Sequence, residues 1–163
     1  MQTKQDLEKW YKDEDPWGYF DNPQDKDRRK KIIEVLNPYN FQKALDIGAG
    51  EGFITRILPA KEIYFQEISD TASNRHPKTH KRVHFNTKET FDLVVATGVF
   101  YKQYDWEEMH DFALRTLQKG GILLTVHIDS WEIPIPNENL ILIHDEKYPY
   151  REYAHKLKIY KKI

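Results

Sequence analysis

Two features of this chain bring together groups able to do chemistry. The first is Leu45-Asp46-Ile47-Gly48-Ala49-Gly50-Glu51-Gly52-Phe53, an apolar strand pattern that runs into three alternate glycines. Without a Cβ, a glycine loop takes left-handed turns and lets the main chain approach a ligand closely. A strand, a glycine turn and a helix in that order serve a nucleotide-like ligand. The second feature is Glu67, at the end of the next strand pattern and roughly 20 residues after the glycines begin, where a carboxylate can accept hydrogen bonds from both ribose hydroxyls. A dinucleotide fingerprint reads G-x-G-x-x-G. Here the third glycine comes one residue early, Phe53 stands where that fingerprint needs glycine, and Asp46 precedes the first glycine. The alternative to a ligand loop is a glycine turn in an unrelated α/β protein, with Glu67 on a solvated strand end.

Groups able to move a proton are sought at strand C-terminal ends, where open α/β sheets bind ligands. Thr97, Gly98, Tyr101 and Tyr104 follow the run Phe91–Ala96, and His127 and Asp129 close the run from Ile122. His127 is the first choice for a general base because an unperturbed imidazole titrates near neutrality. The alternative for His127 is a hydrogen-bonded structural histidine. Tyr101 and His110 are secondary choices, and His84, His144 and His155 read as outward-facing strand positions. No metal site is expected, since Pro77 prevents the helix that would align His76 with His80.

The elements that position these groups are legible by punctuation and period. Thr3 followed by Asp6 predicts a capped helix to about Lys12. Asn22 with Pro23 predicts the start of a second helix, whose apolar face is Ile32, Ile33, Val35 and Leu36 and whose Arg28–Lys31 run reads as a solvated face. Strands are expected at 43–47, 63–67, 83–85, 91–96 and 122–127, with a helix capped at Asp105 and stopped by Gly120-Gly121. The near-continuous apolar runs suit strands buried on both faces. Pro59 limits the helix after the glycine loop. The alternate prolines in Trp131–Pro136 forbid a crossover helix. Leu140–Ile143 and Tyr153–Lys161 then predict an antiparallel hairpin.

About a third of the 163 residues are charged, yet the formal net charge is only −1. Neither a nucleic acid nor a membrane is an expected partner on that balance. No apolar run spans a bilayer and no signal peptide is read, so the expectation is a cytoplasmic protein. The chain has no cysteine, which excludes disulfides and thiolate chemistry. A small-molecule partner is expected, and the oligomeric state stays open.

The spacing Leu-Asp-apolar-Gly-x-Gly-x-Gly at residues 45–52 resembles motif I of the class I S-adenosylmethionine-dependent methyltransferases. Glu67-Ile68-Ser69 is similar to the acid-Ile-Ser ending of that family's second strand. Phe91-Asp92-Leu93-Val94 resembles its fourth strand, and Leu117–Leu123 its L-x-x-G-G entry to the fifth. The resemblance implies an α/β, Rossmann-like three-layer sandwich. Its seven-stranded, mostly parallel sheet would carry an antiparallel C-terminal hairpin and reduced helices. It implies S-adenosylmethionine as cofactor, held by Asp46, Gly48, Ala49, Gly50, Gly52, Phe53, Glu67, Ile68 and Thr97. Asn86 would stand in for the family's adenine-binding acid in a shortened loop. Asp15-Pro16-Trp17-Gly18-Tyr19, before an arginine-rich helix, resembles the start of the nodulation-protein and sugar N-methyltransferase group, whose N-terminal segment closes over the cofactor. The length fits a single domain, 1–163, and that likeness implies residues 1–40 as a helical lid on a core of 41–163. Trp17 and Tyr19 would cover the methionine end, and Arg28 or Arg29 would pair with its carboxylate. Alternatively Trp10, Trp17 and Phe20 only anchor the segment. The implied activity is methyl transfer to a sugar or amine, on nitrogen or oxygen. Two other readings are an inactive cofactor-binding partner subunit, and nucleic-acid methylation resting on the basic stretch Arg75–Arg82.

Overall fold

Local side-chain chemistry starts the chain. The computed structural model describes residues 2–131, 133, 135 and 138–163. Helix α1 (Lys4–Trp10) begins at Thr3, whose hydroxyl accepts the Asp6 amide while the Asp6 carboxylate accepts the Thr3 amide. Helix α2 (Pro23–Leu36) is capped by Asn22, with proline in its first turn, where a missing N–H costs nothing. Its buried face is Asp25, Arg28, Ile32 and Leu36, spaced as one helical stripe. The solvated basic face expected here therefore needs correcting: Lys30 is exposed, but Arg28 is only 5 % exposed.

The strands are β1 (Phe41–Ile47), β2 (Ala60–Gln66), β3 (Lys81–Arg82), β4 (Phe91–Thr97), β5 (Leu117–Ile128), β6 (Leu140–Tyr150) and β7 (Tyr153–Lys162). They form one seven-stranded sheet in the order β3-β2-β1-β4-β5-β7-β6. The first five are parallel to their neighbours, and β7 lies antiparallel between β5 and β6. This is a Rossmann-like sheet with an antiparallel C-terminal hairpin. Alternate residues of β1 and β4 enter opposite cores. Ala44, Leu93 and Val95 pack with Ile32 and Leu36 of α2, while Leu45, Val94 and Ala96 pack with Phe112 and Ala113 of α4 (Trp106–Thr116). Burial on both faces explains why these strands lack alternation.

Several boundaries differ from expectation: β2 starts earlier, at Ala60, and β6 runs on past Ile143 to Tyr150. The third strand is Lys81–Arg82, and Val83 only extends it by one bond to the Phe65 carbonyl. The glycine pair does not stop α4. That helix ends at Thr116, Leu117 already pairs with Phe91, and the register shift between β4 and β5 lies beside the glycines, with Gly120 at φ +78. The helix after the glycine loop is a single 3-10 turn, Thr55–Ile57, and α3 (Asp70–Ser73) is one turn long. Pro134 and Pro136, the alternate prolines that argue against a crossover helix, lie outside the described residues. Among the described residues no helix is long and apolar enough to cross a membrane.

Candidate functional site

The end of β1 delivers the glycine loop to the C-terminal edge of the sheet. Gly48 (φ +64) and Gly50 (φ +53) are both left-handed. A Cβ on Gly48 would strike the Val99 side chain, and one on Gly50 would lie 2.7 Å from the Tyr11 hydroxyl. The last residues of β2 hold the loop from the side. The Gln66 side-chain oxygen accepts the Gly48 amide at 3.1 Å, and the Gln66 carbonyl accepts the Ala49 amide at 3.0 Å. Glu67 is 5 % exposed and accepts the Gly50 and Ser69 amides, each at 2.8 Å. Burial raises its pKa, while the two backbone donors favour the charged form. Asp46 is more deeply buried. It accepts the Thr55 hydroxyl at 2.6 Å, and desolvation pushes its pKa up to about 7.

Above this edge lies a cavity of about 550 Å³, within the usual range for small-molecule sites. Of the residues singled out from the sequence, Trp17, Tyr19, Arg28, Asp46, Gly48, Ala49, Gly50, Phe53, Glu67, Ile68, Thr97 and Tyr101 all line it. Gly52, Asn86 and His127 are not among its walls. Gly52 packs behind the loop, where its Cβ position is 2.7 Å from the His76 ring. Asn86 is exposed, and Phe85 lines the cavity instead. His127 is 3 % exposed within β5, paired in register with Lys156.

Residues ahead of β1 form the cavity's outer side. Trp17 stacks on Trp10 at 5.0 Å, and Tyr19 meets Phe53 edge-on at 6.1 Å. Arg28 lies between rings, 4.8 Å from Tyr19 and 5.7 Å from Tyr150, and pairs with Asp25 at 3.2 Å. Its Nε is buried without a hydrogen-bond partner.

The far wall comes from the loops after β4 and β5 and from the β6–β7 hairpin; the first is expected from the sequence at Thr97, Gly98, Tyr101 and Tyr104, whereas the hairpin's Tyr150, Arg151 and Tyr153 are not. Asp25 is fully buried. It accepts the Tyr150 hydroxyl at 2.7 Å and Arg151 Nη2 at 2.9 Å, besides Arg28. Tyr150 stacks on His155 at 3.6 Å. The outward placement expected for His155 is thus overturned: it is 4 % exposed and lines the cavity. It shares a strand face with Leu157 and Ile159, both core residues, so parity alone was enough to predict its burial. Desolvation drops its pKa to about 3. Tyr101 accepts the Ile128 amide at 2.8 Å, and burial raises its pKa to about 12.

The basic stretch after α3 is partly engaged by the domain: His76 is buried, Arg75 and Arg82 are half-buried, and Lys78 and Lys81 stay exposed. Arg82 donates to the Glu67 carbonyl at 2.7 Å and to Asp70 at 2.7 Å, and Arg75 pairs with Glu51. Among the described residues no group of three or more His, Cys, Asp or Glu side chains could hold a metal ion.

A family model described as a methyltransferase domain matches residues 45–125. No curated protein matches the chain. Among solved structures, the chain is similar to the N-methyltransferase NodS from Bradyrhizobium japonicum WM9 in complex with S-adenosyl-L-homocysteine, with a TM-score of 0.84, 21 % identity and 99 % of each chain covered. A second structure of that NodS matches at 0.72 and 19 % identity, over 87 % of this chain and 98 % of the other. Magnesium protoporphyrin IX methyltransferase from Synechocystis PCC 6803, with bound S-adenosylmethionine, matches at 0.71 and 10 % identity, over 98 % and 97 %. At these identities the structural likenesses speak for the fold.

Proposed function

The chain is a class I S-adenosylmethionine-dependent methyltransferase, and we propose that it methylates a nitrogen of a small-molecule amine. What carries the cofactor half of this reading is a single cavity that joins three features. They are a glycine loop, a buried carboxylate beside it, and an arginine Nε buried without a partner. Glu67 keeps acceptor capacity beyond its two backbone donors and would hold the ribose hydroxyls. Arg28 would hold the methionine carboxylate through its unspent Nε. Gly48, Ala49 and Gly50 would pack against the ribose and methionine portions, and Trp17 and Tyr19 would cover them as a lid drawn from residues 1–40.

Bound S-adenosylmethionine supplies a sulfonium methyl group open to in-line displacement. The chain must place the acceptor's lone pair on that line and exclude water. Tyr101, Trp131, Tyr150, Tyr153 and His155 line the cavity from the β4, β5 and β7 side of the sheet, across β1 from the β2 end that carries Glu67, and there the acceptor would sit. A hydroxyl acceptor needs a base tuned near the working pH. On the acceptor side Tyr101 is pushed up to about 12 and His155 down to about 3, so neither is tuned to that task. His127 as base would require a path from within β5. A free amine needs placement alone, which favours nitrogen over oxygen. Similarity to an N-methyltransferase supports the same choice.

Two measurements test the reading. Calorimetry with S-adenosylmethionine should show binding near micromolar concentrations that Gly50→Arg abolishes; equal, absent binding in both would sink the cofactor assignment. Incubation with methyl-labelled donor and panels of amines, sugars and RNA should label amines. Label on hydroxyls or RNA alone would overturn the acceptor class. Turnover only in the presence of a co-purified second chain would favour the partner-subunit alternative.

A further inference from the structure

We propose that Glu51 and Arg75 are positioning residues that latch the N-terminal segment onto the glycine loop and so assemble the cavity for transfer. The kinetic part of this inference rests on the methyltransferase reading; the latch itself does not. Glu51 sits between Gly50 and Gly52, and its side chain is 6 % exposed. A carboxylate buried there must be matched by donors. Both of its oxygens accept the Asp15 amide, at 2.9 and 3.2 Å, and one also takes Arg75 Nη1. Arg75 follows α3 and reaches up from below the loop. Its Nη2 donates to the Tyr11 carbonyl at 2.7 Å, and its Nη1 also donates to the Asp13 carbonyl at 3.2 Å. One guanidinium thus ties the glycine loop to two points of the segment that follows α1.

The tie extends to the cavity wall. Asp15 is held in a left-handed conformation at φ +49, unusual for a residue with a side chain. With its amide on Glu51, its carboxylate accepts the Tyr19 amide at 2.6 Å and the Phe20 amide at 2.8 Å. The order Arg75–Glu51–Asp15–Tyr19 therefore runs from beneath the glycine loop to the ring that stacks with Arg28. The neighbouring residue braces the same loop: His76 Nε2 lies 2.8 Å from the Gly50 carbonyl, and its ring stacks on Phe65 at 3.7 Å. An exposed ion pair would hold little. This one joins a buried carboxylate to a half-buried guanidinium, and removal of Arg75 leaves the Glu51 charge buried without its counter-charge.

The consequence is that the segment is closed in advance of ligand, with affinity scaled by the fraction of molecules in the closed state. The experiment uses the full chain with Glu51→Gln, Arg75→Met and the double variant, and with Arg75→Lys as a milder change that keeps the charge but loses the fork. Amide hydrogen exchange is read without ligand, and calorimetry with S-adenosylhomocysteine follows. The single variants should speed exchange at Tyr19 and Phe20 while the β1 and β4 amides stay protected. They should weaken S-adenosylhomocysteine roughly tenfold and raise the donor KM while leaving kcat at saturation nearly unchanged. The double variant should be no worse than the poorer single, because the two act as one unit. Unchanged exchange at Tyr19 and Phe20 in all variants, or fully additive losses, would overturn the latch. Failure of the wild type to bind S-adenosylhomocysteine would instead count against the methyltransferase reading, with the exchange result still deciding the latch.

Discussion

Gly50→Ala separates two costs that the glycine loop avoids. The first is conformational. Gly50 is at φ +53, and a left-handed L-residue costs roughly 1–2 kcal/mol. The second is steric. The new methyl would lie 2.7 Å from the Tyr11 hydroxyl, with the next ring atom at 3.7 Å. Tyr11 is 5 % exposed, so it cannot simply swing away, and overpacking of this kind costs about 1–3 kcal/mol. The sum is about 2–5 kcal/mol of folding stability. Gly120→Ala isolates the first cost, since Gly120 is at φ +78 with nothing within 4 Å of its Cβ position. Tyr11→Phe isolates the second by removing the clashing atom; its own loss is a 3.4 Å contact from Trp17 Nε1. Urea unfolding should rank Gly120→Ala as the mildest and Gly50→Ala as the most damaging. Gly50→Ala with Tyr11→Phe should return to near the Gly120→Ala value, and cofactor affinity by calorimetry should recover with it. A double variant as unstable as Gly50→Ala, or a Gly50→Ala no worse than Gly120→Ala, refutes the claim that the N-terminal segment is seated on the loop.

Other sites give independent checks. Glu67→Gln removes the charge from a hydrogen-bonded carboxylate and should weaken S-adenosylmethionine about 10- to 100-fold, as expected for hydrogen bonds to a charged group, when measured by calorimetry. Asp25→Asn leaves Arg28 and Arg151 without their buried counter-charge and should cost about 3–5 kcal/mol in thermal unfolding. Asp46, raised from 3.8 to about 7 by burial, holds its proton in the folded state where the unfolded chain has lost it. Its contribution is complete below pH 3.8 and declines as pH rises through about 7. Urea midpoints against pH should show that decline flattened in Asp46→Asn. His155 has the opposite sign. Its folded pKa falls from 6.5 to about 3, so its contribution is present above 6.5 and lost as pH falls toward 3. His155→Phe should stay folded further into acid.

What could be read in the sequence is what is encoded locally. The Thr3–Asp6 box, the Asn22 cap before Pro23 and the Asp105 cap depend on side chains a few residues from the backbone they satisfy. The glycine loop and Glu67 are legible for a related reason, because parallel pairing of β1 with β2 brings one strand end beside the next. Failures came where distant partners decide. Gly120-Gly121 looks like a helix stop, yet pairing of Leu117 with Phe91 draws the strand back past it. Arg28 looks solvated within its basic run until Asp25, Tyr19 and Tyr150 close round it, and Tyr150 lies 125 residues from Asp25. Position in a short loop points to Asn86, and nothing local reveals that Phe85 lines the cavity in its place.

The buried charge at Asp25 also bears on how the acceptor end is built. Three donors from two remote parts of the chain, Arg28, Tyr150 and Arg151, converge on one carboxylate that is 0 % exposed. Arg151, at φ +50 in the hairpin turn, also reaches the Trp17 carbonyl at 3.0 Å. A substitution at any of these positions strands a charge or a hydroxyl in a desolvated place, so this part of the wall is costly to alter. Trp131 and Tyr153 are the opposite case. They meet at 5.7 Å and are 45 % and 40 % exposed at the rim, where a change of side chain disturbs little else. In the proposed reading, the Asp25 cluster therefore sets where an acceptor enters relative to the methyl donor. Selection among acceptors falls to the rim, and exchanges at Trp131 and Tyr153 should change acceptor KM values without changing donor affinity.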